Sequence, residues 1–326
     1  MEHKLIFQTS CISLVPVLGT SVSAIRVDQP NHKRVIALYV TALTLFSNVS
    51  QATPTGGEVV SGAASITQSA ATTTVTQASQ NLSVNWKSFN VAPQEVVNFV
   101  QPSTSSIAVN RILDTSGSQI LGSINANGQV YLINPNGILF GHGAQVNVGG
   151  LVASALDLNN AHLNSNAKVF SGNGTGSIIN QGNLTAANGG YVALLGKTVN
   201  NQGAINASQG SVMLGAGNNL TLSFENNNLL KMQVNQSLFD TLAENGGLIQ
   251  TAGGQVIMNA GAKNTLQASV VNNTGVIEAH TLGSQTGKII LLSGMELGTT
   301  NVDGTLDASA PNGGNGGFID TSAAHV

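Results

Sequence analysis

Charge is what this sequence has least of. Asp, Glu, Lys and Arg make up 8% of its 326 residues, against about 25% in an average globular protein. Surface helices fill their exposed positions with Glu, Lys and Arg, so the shortage disfavours a helical protein. Aromatics are also few, at 4%, and the single cysteine is Cys11. If residues 1–52 are a removable leader, the rest of the chain has no cysteine. Disulfide frameworks, thiolate metal sites and cysteine nucleophiles are then excluded. From residue 53 onward seven basic residues stand against twelve acidic ones, a net charge of −5. That leaves no basic footprint for nucleic acid and argues against phosphate partners and anionic membrane surfaces.

What is present is glycine, 38 residues of it. Ser, Thr, Asn and Gln carry the polarity that charge usually supplies. This composition suits stacked strands joined by Gly/Asn turns. The apolar share, 41%, is too high and too patterned for a disordered chain.

Residues 1–52 read as an extended leader. His32-Lys33-Arg34 form a basic start, Val35 to Phe46 an apolar core, and Ser50 and Ala52 are small residues before a cut between Ala52 and Thr53. That is the pattern of a secretory signal peptide, and the core is too short to span a membrane. An earlier run, Leu5 to Ala24, competes as a second signal. The start codon and the cleavage site therefore stay open. No other apolar stretch reaches about 18 residues, so no stable membrane span is expected.

Internal repetition dominates the remainder. One half-unit, Gly-x-(Ile/Leu)-x-(Ala/Thr), opens at Gly122, Gly182, Gly203, Gly247, Gly275 and Gly304. Its companion, Gly-x-(Val/Ile)-x-(Leu/Met/Thr), opens at Gly128, Gly190, Gly210, Gly254, Gly287 and Gly317. Asn often precedes the first half, as in Asn180-Gln181-Gly182 and Asn201-Gln202-Gly203. Each half is a short strand of period two, with Val130 and Leu132, Val192 and Leu194, and Val212 and Leu214 in equivalent places. One such strand cannot bury its apolar face alone, but copies stacked at about 4.8 Å can.

The expected fold is therefore all-β: a parallel β-helix over 103–326, right-handed by the crossover preference of twisted parallel strands. Segment 53–102 is expected to be an N-terminal β cap, with Trp86 and Phe89 covering the open end. Segment 219–244 interrupts the repeat and reads as an extra-helical insertion, a hairpin followed by a short helical stretch. The last repeat half has no cap after it, so the solenoid reads as truncated or meant to continue.

Within this frame Asn134-Pro135-Asn136-Gly137 is a corner. Pro sets φ early in a turn, and Asn and Gly suit the positions after it. Asn side chains at repeated corners are expected to stack and bond along the axis.

The stretch Asn125 to Leu156, "NANGQVYLINPNGILFGHGAQVNVGGLVASAL", resembles the secretion domain of filamentous-hemagglutinin-type exoproteins. Ser88 to Asp114 resembles the part of that domain preceding it. The family's Asn-Arg motif falls on Asn110 and Arg111, and its Asn-Pro-Asn-Gly motif on Asn134, Pro135, Asn136 and Gly137. Later stretches, such as "NGGYVALLGKTVNNQGAINA", resemble the high-molecular-weight adhesin branch. The likeness runs over roughly residues 55–326. It implies two-partner secretion in a Gram-negative bacterium: export through the periplasm, then recognition by a dedicated outer-membrane β-barrel transporter. The six motif residues are the ones it offers for transporter recognition, and a host-cell receptor or glycan is the further partner it suggests. Members are usually far longer, which leaves any adhesive or toxic activity located downstream in doubt here.

Other chemistries find less support. A glycan-cleaving β-helix needs clustered carboxylates, and here only Asp303, Asp307 and Asp320 fall near one another in sequence. A solvated acidic face explains them as well. His142, His162, His280 and His325 lack zinc spacing, so no metal and no cofactor is expected. The alternatives kept beside a non-enzymatic secreted exoprotein are a polysaccharide-degrading enzyme and the delivery part of a contact-dependent-inhibition or haem-acquisition protein.

Overall fold

Strand-length pieces of period two, joined by glycine, build three stacks of parallel strands. The structure, a computed structural model, describes residues 53–226, 228–236, 241–261 and 269–326. These belong to a unit spanning Val49–Val326. The leader, with Ala52 of the expected cut, lies outside the described residues.

Each turn of the chain visits three faces. The first face stacks Val96–Val100, Ser123–Ala126, the start of Gln145–Ser154, the start of Asn183–Gly196, Ala204–Asn206, Leu248–Gln250, Val276–Glu278 and Thr305–Asp307. The second stacks Asn81–Trp86, Ile107–Ile112, Gln129–Ile133, the ends of the two long strands, Ser211–Ala216, Gln255–Asn259, Lys288–Leu292 and Phe318–Ser322. The third runs from Ser118–Ile120 through Ile138–Phe140, Ile178–Asn180, Thr198–Asn201, Thr241–Asn245 and Ser269–Asn273 to Thr299–Val302. All these pairings are parallel and in register, which is a parallel β-helix. Among the described residues there is no α-helix, only a 3-10 turn at Asn160–His162.

Alternate residues of the stacked parallel strands point inward. Val130, Leu132, Val192, Leu194, Val212 and Leu214 belong to one continuous internal core, as their repeat positions predict. Their neighbours on the second face are buried too: Tyr131, Val152, Ala193 and Met213 form a separate outer cluster with Phe170, Leu220 and Met232. That explains why this face is apolar at successive positions. It is covered on both sides, where a half-solvated strand would alternate.

The outer cover is a four-stranded antiparallel sheet made of two excursions. One is Asp157–Leu158 with Ala167–Ser171, the other the hairpin Asn219–Glu225 and Asn228–Gln236. Both leave the β-helix at the corner between its second and third faces. The hairpin lies where 219–244 was expected to insert. The helical stretch expected after it is corrected in part: Thr241–Asn245 is a β-helix strand with buried Thr241, Ala243 and Asn245, and residues 237–240 lie outside the described set. Burial of alternate side chains overrides the helix propensity of Leu, Ala and Glu there.

Parallel stacking begins at Thr72, where Thr72–Gln77 pairs with Val96–Val100. It therefore starts inside the 53–102 segment. The strands that close that end in antiparallel fashion are Glu58–Ser61 and Ala64–Ser69. Beneath them Trp86 and Phe89, each 1% exposed, meet edge to face at 5.4 Å.

Two aligned devices set the spacing between coils. The side chains of Asn180, Asn201, Asn245 and Asn273 are fully buried. Each Nδ2 donates to the Oδ1 of the next, at 2.8, 2.7 and 2.7 Å. Two residues after each Asn comes a glycine: Gly182, Gly203, Gly247 and Gly275. A Cβ on Gly203, Gly247, Gly275 or Gly304 would fall onto the carbonyl oxygen of the glycine one coil before. The Asn-x-Gly triplet is thus one unit, an amide ladder beside a glycine seam.

Candidate functional site

The six motif residues come together at the N-terminal end of the second and third faces, where they do unequal work. Asn110 is 0% exposed and points into the β-helix. Its Oδ1 accepts the indole N–H of Trp86 at 2.9 Å, and its Nδ2 donates to Ala108 and Tyr131 carbonyls at 3.1 and 3.3 Å. A buried indole N–H needs such a partner, so Asn110 completes the aromatic end of the core.

Arg111, next along the strand, points outward. Its Nε donates to Asp157 Oδ1 at 2.8 Å and Nη1 to Ser83 Oγ at 2.8 Å. Nη2 reaches the Leu158 carbonyl at 2.8 Å and Asn160 Oδ1 at 2.6 Å. Every guanidinium nitrogen is occupied. Arg111 ties the first excursion of the outer sheet to the N-terminal coils.

Asn134 opens the corner. It is 0% exposed, and its Nδ2 donates to Ser116 O and Ser118 Oγ at 3.1 and 3.0 Å. Its Oδ1 accepts the Asn136 N–H at 2.9 Å, and its carbonyl accepts the Gly137 N–H at 2.9 Å. These bonds make a β-turn reinforced by an Asx turn. Gly137 has φ +99, and a Cβ there would lie 2.6 Å from the Ser177 carbonyl oxygen, so only glycine fits. Val130–Ile133 and Ile138–Phe140 are two sides of one coil, as a corner requires.

Pro135 and Asn136 alone of the six are exposed. The Asn136 amide donates to Asp114 O at 2.7 Å. Beside this tip lies a shallow cavity of about 350 Å³, lined by Ser116, Gln119, Asn136, Leu139, Ser177 and Ile179 among others. Gln119, Leu139 and Ile179 are in register on the outside of the third face. A turn tip over a mixed apolar and amide floor without charge is suited to a protein surface.

Residues that local patterns missed hold the outer sheet and the cluster beneath it. Lys168 is 6% exposed; its Nζ donates to Leu163 and Ser165 carbonyls at 2.9 and 2.8 Å and sits 5.0 Å from the Phe224 ring centroid. Burial lowers its pKa. Tyr131 and Tyr191 share a buried hydroxyl–hydroxyl bond of 2.9 Å beneath the outer sheet, and burial, first among the causes, raises both pKa values. The signal for the amide ladder was visible in the recurring Asn before the glycines. Nothing local pointed to the Arg111 partners.

The acids named in the sequence do not converge. Asp307 lies on the first face and pairs with His280 Nε2 at 3.0 Å, whereas Asp320 lies on the second face and binds Ser322. Among the described residues no group of three or more His, Cys, Asp or Glu side chains is arranged to hold a metal ion.

Comparison with known proteins gives a consistent picture. The family model for the TPS secretion domain matches residues 50–308. A heme/hemopexin-binding protein of Haemophilus influenzae is 32% identical over 276 residues, which is 79% of this chain and 29% of the relative. A second protein of that name from the same species is 31% identical over 242 residues, 67% of this chain and 26% of the relative. The chain thus spans less than a third of these curated relatives. Among solved structures, the HMW1 secretion domain from Haemophilus influenzae superposes with a TM-score of 0.69 at 30% identity, covering 77% of this chain and 65% of that one.

Proposed function

This chain belongs to the family of TPS secretion domains, and from that premise we propose that it is the exported cargo of a two-partner system, recognised by a cognate outer-membrane β-barrel transporter. It is a secreted exoprotein that travels through the periplasm and performs no catalysis. The observation that carries the reading is the family match over 50–308. The motif geometry supports a division of labour. Asn110, Arg111, Asn134 and Gly137 hold the N-terminal coils and their corner in shape, while Pro135 and Asn136 present the surface that a transporter meets. Beyond export, the role is adhesion through a host-cell receptor or glycan.

The deciding experiment is secretion. The chain is expressed in a Gram-negative host with and without the barrel-transporter gene nearest its own, and the medium is assayed for a product beginning at Thr53. Transporter-dependent release supports the reading. Equal release without the transporter, or retention in both with the transporter present, sinks it.

A second reading replaces adhesion with haem acquisition. It is favoured by the name of the two curated relatives, heme/hemopexin-binding protein. Haem titration of the secreted product separates the two: saturable binding favours this reading, and its absence favours adhesion.

A further inference from the structure

Seven Asn-Gly steps lie in the described residues, at Asn127, Asn136, Asn173, Asn188, Asn245, Asn312 and Asn315. Such a step is chemically vulnerable. The glycine nitrogen can attack the asparagine Cγ, because no side chain shields it and the backbone turns freely. The new C–N bond closes a five-membered imide, and the amide nitrogen leaves as ammonia, taking up the proton released by the attacking nitrogen. Water then opens the ring at either carbonyl, leaving aspartate or its β-linked isomer. No oxidant or reductant takes part. Attack requires a glycine N–H that is not held elsewhere, an Asn side chain free to swing, and backbone room to reach the geometry.

Six of the steps fail at least one requirement. Asn127 exchanges two bonds of 2.8 Å with the Gln101 backbone. Asn136 holds Asp114 O, and Gly137 N–H is bound to Asn134 O at 2.9 Å. Asn245 is a buried rung of the amide ladder. Gly189 N–H donates to Ser208 O at 2.8 Å, and Gly313 N–H to Ala310 O at 2.9 Å. Beyond Asn173 the chain is crowded: a Cβ on Gly174 would fall onto the Ala155 carbonyl oxygen and close to that of Pro135, which leaves this backbone little room to turn.

Asn315 meets all three. It is exposed and lies outside any strand, between Thr305–Asp307 and Phe318–Ser322. Neither its side chain nor Gly316 N–H bonds to another described residue. A Cβ on Gly316 would meet nothing nearer than Ala308 O at 3.6 Å. We propose that Asn315 is a spontaneous deamidation site, converting to a carboxylate through an imide with Gly316 and so adding a negative charge to the loop that joins the last two strands.

The test incubates the folded chain at neutral pH and, in parallel, the same chain in denaturant. Both are then digested after arginine and lysine, and the fragments 112–168, 169–197 and 289–326 are read by mass spectrometry with fragmentation that locates the change. In the folded chain Asn315 is expected to convert ~10-fold or more faster than Asn127, Asn136 or Asn312, the rate equivalent of about 1.4 kcal/mol in barrier. In denaturant the ranking flattens. Gly316→Ala, which the free space accommodates, slows the Asn315 conversion ~10-fold in both conditions. A folded chain in which Asn312 or Asn173 leads, or in which Asn315 matches Asn136, overturns the proposal.

Discussion

Arg111 and Asp157 meet at 2.8 Å across 46 positions of sequence, and around that contact the outer sheet is fastened to the N-terminal coils. The aspartate side chain is 58% exposed and the arginine side chain 14%. The ion pair itself is therefore screened and weak, and most of the clamp's value lies in the bonds from Arg111 to Ser83, Leu158 and Asn160. Arg111→Ala is expected to cost about 2–4 kcal/mol, because several charge-assisted hydrogen bonds go at once. Asp157→Asn should cost less than about 1 kcal/mol. Urea unfolding of the two variants checks this, and equal losses would show that the ion pair dominates after all.

The corner gives a way to separate folding from recognition. Gly137→Ala must place a Cβ 2.6 Å from the Ser177 carbonyl at φ +99, with an expected loss of about 1–3 kcal/mol. Pro135→Ala and Asn136→Ala at the exposed tip should stay within roughly 1 kcal/mol of the parent chain. If the tip is what the transporter reads, these two still lower transporter-dependent secretion several-fold. Full secretion by the double variant, with the parent's unfolding midpoint, would remove Pro135 and Asn136 from the recognition surface.

Rungs inside the amide ladder should matter more than its last one. Asn201→Ala strips a donor from Asn245 and an acceptor from Asn180, with a cost of about 2–4 kcal/mol for buried amides left incomplete. Asn273→Ala breaks a single ladder bond and should cost about half as much. Thermal unfolding monitored by far-UV circular dichroism ranks the pair, and the reverse order would contradict a bonded ladder.

Acid should loosen the last coils through Asp307. Its pKa is lowered to about 2, first by the Ser309 backbone N–H, then by the Ser309 side chain and His280. An unfolded aspartate titrates near about 3.9, so the folded state binds the proton more weakly. The stabilisation is complete above about pH 4 and is lost as the pH falls toward 2. Urea midpoints across that window should decline less steeply in Asp307→Asn. An unchanged slope would mean that other carboxylates govern the acid limb.

Much of the fold was legible because its period is short and its register exact to the residue. Val130 and Leu132 announce an inward face, and each later copy repeats the announcement. Tyr131, between them, gave no warning that it is buried as well, since its cover comes from segments 157–171 and 219–236, which have no place in the repeat. Arg111 carried a motif but not its partners, because a clamp joining residues 111 and 157 leaves no local pattern. Thr241–Asn245 looked helical by composition and became a strand by position. For the candidate site, the motif's turn chemistry announced a corner, and Asn134 to Gly137 form one. Which of its residues face solvent depended on the coil behind it and on Ser177 returning across it.

The Asn-x-Gly triplets have one more consequence. Each fixes the step from one coil to the next using only its own backbone and a single amide, and asks nothing of the side chains on the outside. A segment running from one triplet to the following one is therefore a cassette: it begins and ends with the same fitting. Whole turns can be duplicated, removed or grafted at these joints while both neighbours still find their match. The hairpin Asn219–Glu225 and Asn228–Gln236 hangs between two such joints, at Gly203 and Asn245, and the amide bond across it is 2.7 Å, as at its neighbour.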